Sequence, residues 1–263
     1  MPELETKHGM FCWTDLSTPD PEGVKPFYES LFGWSSEETP GAGGQPYTVF
    51  SLGDDRVAGM MSRPPEHMES AFPPVWSSYV AVDDVDDVTV RARELGGSVE
   101  LEPVEVPGAG RMSVVRDPTG GVLCLWEASE PGTGLYNEPG TMIWNELATR
   151  DAARAVEFYG ELLGWEFETM ETHGTTYHVI ENAGRQNGGI MQMTDEWPEE
   201  IPAHWMVYFA VEDAEEAVAK LGELGGEISV PPTDIEVGVM SVVADPLGGT
   251  FTLFENRRGE ATA

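Results

Sequence analysis

The chain carries WTDLSTPDPEGVKPFYESLFGW from Trp13 to Trp34 and WNELATRDAARAVEFYGELLGW from Trp144 to Trp165. Trp, an acidic residue two positions on, Leu, Thr, Asp, Phe-Tyr, Leu and Gly-Trp recur in both stretches at a constant offset of 131 residues, as from 13 to 144. A spacing shared across so many bulky side chains is an internal duplication. It continues outward: Tyr47 answers Tyr177, Gly59 answers Gly189, Trp76 answers Trp205, and Asp84 answers Asp213. Near the end of each half, Met112 to Val115 with Asp117-Pro118 and Gly120-Gly121 answers Met240 to Val243 with Asp245-Pro246 and Gly248-Gly249. Small length changes in surface loops account for the slow drift of the offset.

The 263 residues therefore divide into residues 1–129 and 140–257 with a linker at 130–139, each half large enough to bury its own core. Cys12 and Cys124 have no metal or disulfide spacing, which reads as reduced thiols in a cytoplasm. The N-terminus lacks a basic and then apolar signal pattern, and no apolar run approaches the roughly 20 residues that cross a bilayer. With 47 acids against 14 bases the formal net charge is −33, a field that repels phosphate backbones and anionic lipid. Nucleic acid and membrane partners are disfavoured on that ground, and the expected partner is a small molecule, handled by a monomer or a homodimer.

Trp13 to Ser17 reads as a strand; Asp20-Pro21 caps and starts a helix carrying Phe27, Tyr28, Leu31 and Phe32, and Gly33 ends it. Strands follow near 34–38, 47–52 and 57–61, so the unit is β-α-β-β-β. The unit then recurs within the half: strand 76–82, helix 85–95 ended by Gly96-Gly97, and strands 99–106, 111–116 and 122–127. The second half repeats the order, giving four βαβββ modules at about 8–62, 75–128, 141–193 and 203–256. The fold class is α+β, with two modules per domain.

The FY-x-x-L-F/L-G-W segment after the first strand, the helix start beginning V-x-D and the final D-P-x-G-G hairpin resemble the vicinal oxygen chelate superfamily. That superfamily includes glyoxalase I, extradiol dioxygenases, fosfomycin-modifying enzymes and bleomycin-binding proteins. The likeness covers nearly the whole chain and is closest to two-domain glyoxalase-like proteins of high-GC bacteria. It implies that the two modules of a domain curl into a cupped mixed sheet with the helices outside, and that a divalent metal is held by a His or Gln on the first strand of a module and a Glu on the last, with open positions for substrate oxygens.

Carried over residue by residue, the first-strand positions fall on Trp13, Ser77, Trp144 and Met206, and the last-strand Glu positions on Cys124 and Thr252. None of the six is His, Gln, Asp or Glu, so no metal ligand and no cofactor is assigned; a site with substituted ligands such as Cys124 plus His204 is the alternative. Glu127 and Glu255 lie an odd number of residues away and face the other side of the sheet. His8, His67, His173, His178 and His204 read as structural or solvated residues.

Period-two alternation instead gathers aromatic side chains and two carboxyls on the cup faces. In the first half Trp13 shares a face with Asp15, Ser77 with Tyr79, and Cys124 with Trp126; in the second Trp144 shares one with Glu146, Met206 with Tyr208, and Thr252 with Phe254. Whether Trp13 and Cys124 line one cup or two stays open. An aromatic lining with a few polar groups suits a flat organic ligand. Asp15 and Glu146, beside tryptophans and partly desolvated, are the candidate acid-base groups, with anchoring of the fold as the structural reading of the same residues. Cys124 has no His placed to activate it and reads as a small buried hydrophobe. Trp34 and Trp165 read as core. The D-P-x-G-G elements read as turns that specify fold, and the segment from Gly41 to Gly44 as a loop over the cup.

The expected function is a glyoxalase- or bleomycin-resistance-like protein that binds, or binds and transforms without the family metal, a small aromatic or polyketide-like molecule. A metal-dependent lyase or oxygenase with non-standard ligands is the first alternative. A non-catalytic structural or interaction protein with filled cups is the second.

Overall fold

The computed structural model describes residues 4–41, 45–63, 73–130, 133–172 and 174–257. Ala42 to Gly44, Pro64, Pro65, His67 and His173 lie outside the described residues. The first half contains β1 (Leu4–Glu5), β2 (Phe11–Thr18), α1 (Pro21–Phe32), β3 (Ser35–Pro40), β4 (Pro46–Leu52), β5 (Asp55–Ser62), β6 (Val75–Ala81), α2 (Val85–Glu94), β7 (Ser98–Val106), β8 (Gly110–Arg116) and β9 (Val122–Ala128). After β10 (Thr133–Gly134), the second half gives β11 (Met142–Thr149), α3 (Ala152–Leu163), β12 (Glu166–Thr172), β13 (Thr175–Asn182), β14 (Arg185–Gln192), β15 (His204–Val211), α4 (Ala214–Glu223), β16 (Glu227–Asp234), β17 (Gly238–Ala244) and β18 (Thr250–Asn256). The four βαβββ modules are all present.

Local chemistry explains the helix ends. Asp20 accepts from the Gly23 N–H at 3.0 Å while Pro21 occupies the first turn, where its missing N–H costs nothing. Gly33 and Gly164 close α1 and α3 in the left-handed region, at φ 72° and 71°, where a side chain would be strained. Glu127 and Glu255 turn away from the cups, as alternation predicts, and their carboxylates accept from the first N–H of α2 (2.9 Å) and α4 (3.1 Å).

Each half folds into its own eight-stranded sheet, in the order β3-β4-β5-β2-β6-β9-β8-β7 and β12-β13-β14-β11-β15-β18-β17-β16. The sequence leaves open whether modules pair within or between halves, and the register decides it. Strand β2 runs antiparallel to β6 with Trp13 opposite Tyr79, and β11 to β15 with Trp144 opposite Tyr208, so each cup belongs to one half.

The other faces of the two sheets, with their helices, pack against one another and form the core. Phe11 meets Trp165 and Trp205 at ring separations of 5.5 and 5.3 Å, and Trp76 meets Phe209 at 5.1 Å. Trp34 and Trp165 are buried there, as the sequence suggests. Each donates its indole N–H to the other half, to Gly140 O and Gly9 O, both at 2.8 Å.

A reciprocal pair of polar latches ties the halves. The Tyr28 hydroxyl donates to Asp245 Oδ2 at 2.7 Å and accepts from Trp76 Nε1 at 3.1 Å. Its counterpart, the Tyr159 hydroxyl, donates to Asp117 Oδ2 at 2.9 Å and accepts from Trp205 Nε1 at 3.1 Å. The D-P-x-G-G elements are indeed turns, with Asp117 Oδ1 accepting the Thr119, Gly120 and Gly121 N–H groups. The same carboxylates also reach across to the tyrosine of the opposite half, a role that chain order does not reveal. Buried polar groups satisfied in this way fix one relative arrangement of two surfaces.

Candidate functional site

Trp13 and Asp15 share the cup face of β2 by alternation, and Thr14, Leu16 and Thr18, all fully buried, take the opposite face against the core. From β6 come Ser77 and Tyr79, and from β9 Cys124, opposite Tyr79, and Trp126. The six candidates of the first half therefore share one face. The second half does the same, with Trp144 and Glu146 on β11, Met206 and Tyr208 on β15, and Thr252 and Phe254 on β18. Tyr208 and Phe254 make an edge-on ring contact at 6.4 Å.

At the centre of each cup, aromatic hydroxyls surround a carboxyl. Tyr79 donates to Asp15 Oδ2 at 2.7 Å, and Trp13 Nε1 donates to the Tyr47 hydroxyl at 2.8 Å. In the second cup Trp144 Nε1 donates to the Tyr177 hydroxyl at 2.9 Å, which donates in turn to Glu146 Oε2 at 2.9 Å. Asp15 is 2% exposed and Tyr79 4%, while Trp13, Tyr47, Ser77 and Trp126 are half-buried at the mouth. Glu146 is also half-buried.

Burial pushes the Asp15 carboxyl up to about 6, against the opposing pull of the Tyr79 and Tyr47 hydroxyls. Glu146 is raised for the same reason, with Tyr177 and Tyr208 pulling it back. All four tyrosines are held well above their ordinary value, first by burial and then by the facing carboxylate, and so stay protonated donors. Burial, then the charge of Asp15, pushes the Cys124 thiol up, which keeps it from being a thiolate nucleophile.

Tyr47 and Tyr177 are the site residues that alternation along the first strand does not find. Each ring lies across a glycine of the neighbouring strand: a Cβ at Gly59 would fall 1.8 Å from the Tyr47 hydroxyl oxygen, and one at Gly189 2.0 Å from that of Tyr177. The signal is a Tyr and a Gly kept twelve residues apart in both halves, at 47 and 59 and at 177 and 189.

The same register completes the test for a metal. Asp15 faces Gly59 between β2 and β5 as Tyr79 faces Cys124 between β6 and β9, so Gly59 holds the last-strand position of its module. In the second half that position is Gly189. The positions where the superfamily places ligands are thus Trp13, Gly59, Ser77 and Cys124 in one cup, and Trp144, Gly189, Met206 and Thr252 in the other. This donor set does not fit a divalent ion that prefers nitrogen and oxygen. Among the described residues no group of three or more His, Cys, Asp or Glu gathers to hold one. Cys124 faces the first cup, opposite Tyr79, and His204, in step with Met206 and Tyr208 on β15, faces the second, so the two point away from each other across the packed sheets. The described histidines are engaged elsewhere: His8 accepts from Asp83 N at 3.2 Å, His178 Nδ1 pairs with Thr169 Oγ1 at 2.8 Å, and His204 Nδ1 lies 2.9 Å from Pro202 O.

Two paired-module cups in tandem define a class. Residues 11–125 and 141–253 match the Glyoxalase/Bleomycin resistance protein/Dioxygenase superfamily, and the chain belongs to it. It is 39% identical over 255 residues, covering 95% of this chain and 96% of the relative, to "Putative glyoxylase CFP32" of Mycobacterium tuberculosis. It is 33% identical over 273 residues, covering 97% and 96%, to the "Anthracycline biosynthesis protein DnrV" of Streptomyces peucetius. The Mn(II)-bound glyoxalase of Novosphingobium aromaticivorans superposes with a TM-score of 0.66 at 15% identity, covering 96% of this chain and 83% of that one, a likeness of fold alone. No helix among the described residues is long and apolar enough to cross a membrane.

Proposed function

We propose that the protein binds a planar aromatic or polyketide-like molecule in its cups, without the superfamily's divalent ion. The tyrosine–carboxyl pairs would be the groups that meet the ligand's polar edge. The supporting observation is the duplicated chain Trp13–Tyr47 with Asp15–Tyr79, and Trp144–Tyr177 with Glu146, built over a glycine where a module's last-strand ligand would stand. Indole and phenol rings at the mouth stack on a flat ligand, and protonated tyrosines donate to its carbonyl or phenolic oxygens. Behind them a carboxyl raised toward neutrality accepts or returns a proton, so the same geometry serves binding and proton transfer. The named role of the DnrV relative in the biosynthesis of anthracyclines, which are flat fused-ring compounds, agrees with this ligand class.

Two measurements test the reading. Titration with 1,4-dihydroxyanthraquinone should quench tryptophan fluorescence saturably, with quenching lost in the Trp13→Leu/Trp144→Leu double variant. Elemental analysis of protein equilibrated with Mn(II), Ni(II) and Zn(II) and then desalted should find far less than one ion per chain. Stoichiometric metal retention, or an absence of saturable quenching, overturns the proposal.

A further inference from the structure

Where the N-terminal segment meets the second half, away from the cups, the structure contains a cavity of about 210 Å³. Phe11, Met10, Met142, Ile143 and Tyr136 form its apolar side, and Lys7 and Arg185 supply two cations. No Asp or Glu lines it, in a chain with 47 acids and 14 bases. We propose that this cavity is a binding site for a small organic monocarboxylate, its apolar body against Phe11 and Met142 and its carboxylate against Arg185 and Lys7.

Three observations carry the assignment. Among the described residues neither Lys7 nor Arg185 forms an ion pair; Arg56, Arg150 and Lys220 form none either, but Lys7 and Arg185 line one cavity together. A guanidinium presents a planar fork of donors matched to a carboxylate, and an apolar wall beside it lowers the competing solvation. The protein's net negative charge does not forbid an anion here, because at physiological salt the field of carboxylates beyond about 8 Å is largely screened.

The duplication provides the second observation. Asn182, Arg185 and Asn187 occupy the β13–β14 hairpin at the positions where β4–β5 carries Leu52, Asp55 and Val57. The first half carries an aspartate, Asp55, at the position of Arg185, so the hairpin itself does not require a cation there. Third, two of the amides build the wall. Asn187 donates to Gly9 O at 2.7 Å and accepts from Phe11 N at 3.3 Å, and Asn182 donates to His8 O at 2.9 Å. These bonds clamp the N-terminal segment onto the hairpin, and Gln186 and Asn137 contribute further carboxamides to the lining.

The test is isothermal titration calorimetry of the full chain with sodium 3-phenylpropionate, 3-phenylpropan-1-ol and sodium phosphate. Phenylpropionate should saturate one site, with the neutral alcohol and the non-apolar anion each at least tenfold weaker. Arg185→Asp installs the residue that the first half already uses, so it should keep the melting temperature while lowering phenylpropionate affinity at least tenfold. Lys7→Glu, at an exposed position, should lower it several-fold. Both variants should retain quenching by 1,4-dihydroxyanthraquinone, because this site does not depend on the cups. No saturable heat with the wild-type chain, equal affinity for acid and alcohol, or unchanged affinity in both variants would overturn the proposal.

Discussion

Removing one hydroxyl from the interface should weaken the whole molecule. Tyr28 is 0% exposed, and its hydroxyl stands between Asp245 (1% exposed) of the opposite half and Trp76 (3% exposed) of its own. In Tyr28→Phe, Asp245 Oδ1 keeps its bonds from Leu247 N at 2.8 Å and Gly249 N at 2.9 Å, but Oδ2 loses the tyrosine donor. A hydrogen bond to a charged group contributes about 1.5–3 kcal/mol, and the Trp76 N–H stranded beside it costs about 1–3 kcal/mol more. The expected loss is therefore about 2.5–6 kcal/mol, a large share of the roughly 5–15 kcal/mol that holds a typical domain folded. Tyr159→Phe should cost a similar amount at the twin latch, and because the two latches share no partner the losses should add in the double variant. The assay is urea unfolding at pH 7, followed in parallel by tryptophan fluorescence and far-ultraviolet circular dichroism. If Tyr28→Phe lies within about 0.5 kcal/mol of wild type, the hydroxyl is not a buried link between the halves and the reasoning fails.

Three further outcomes follow from the cups and helix ends. The Asp15 carboxyl is raised from 3.8 to about 6, so between these values the folded state holds a proton that the unfolded chain has released, and its contribution to stability falls as pH rises through the window. Asp15→Asn should remove that decline, leaving a variant that gains on wild type from pH 4 to 7 by up to about 3 kcal/mol; parallel pH-dependent unfolding curves for the two proteins would refute the burial account. Gly59→Ala places a Cβ 1.8 Å from the Tyr47 hydroxyl oxygen, so the ring should leave the cup at a cost of about 1–3 kcal/mol. Changed tryptophan emission from loss of the Trp13–Tyr47 bond reports the move, and an unaltered spectrum counts against it. Asp84→Ala removes the cap that accepts from Asp87 N at 2.9 Å and should lower stability by about 1 kcal/mol in urea titrations, as should Asp213→Ala at the matching helix.

Much of this molecule is written in local spacing. Asp20-Pro21, Gly33 and their partners at Asp151 and Gly164 punctuate the helices, and period-two alternation groups Trp13 with Asp15 on β2 and Cys124 with Trp126 on β9. Across the sheet the chain is less explicit. Tyr47 reaches the cup centre only because β4 lies two strands from β2 and because Gly59 of the intervening strand leaves room for a ring, a relation that involves three strands at once. The role of Asp117 and Asp245 is hidden for a similar reason: a carboxylate in a turn explains itself through its own N–H groups, and nothing local indicates that its second oxygen faces another half of the molecule. Sequence spacing also does not say that modules pair within a half, since either arrangement buries the same apolar positions.

The reciprocal latches bear on how such a protein changes over generations. In an assembly of two identical subunits every substitution arrives twice, and an altered cup is altered on both sides. Here the latches keep their twin residues, Tyr28 and Tyr159, Trp76 and Trp205, Asp245 and Asp117, and the cups keep Trp13 and Trp144, Tyr47 and Tyr177, and Tyr79 and Tyr208, while differing at Asp15 against Glu146, Ser77 against Met206 and Cys124 against Thr252. Covalent fusion lets one cup change alone, and the paired latches hold the two halves in register when it does.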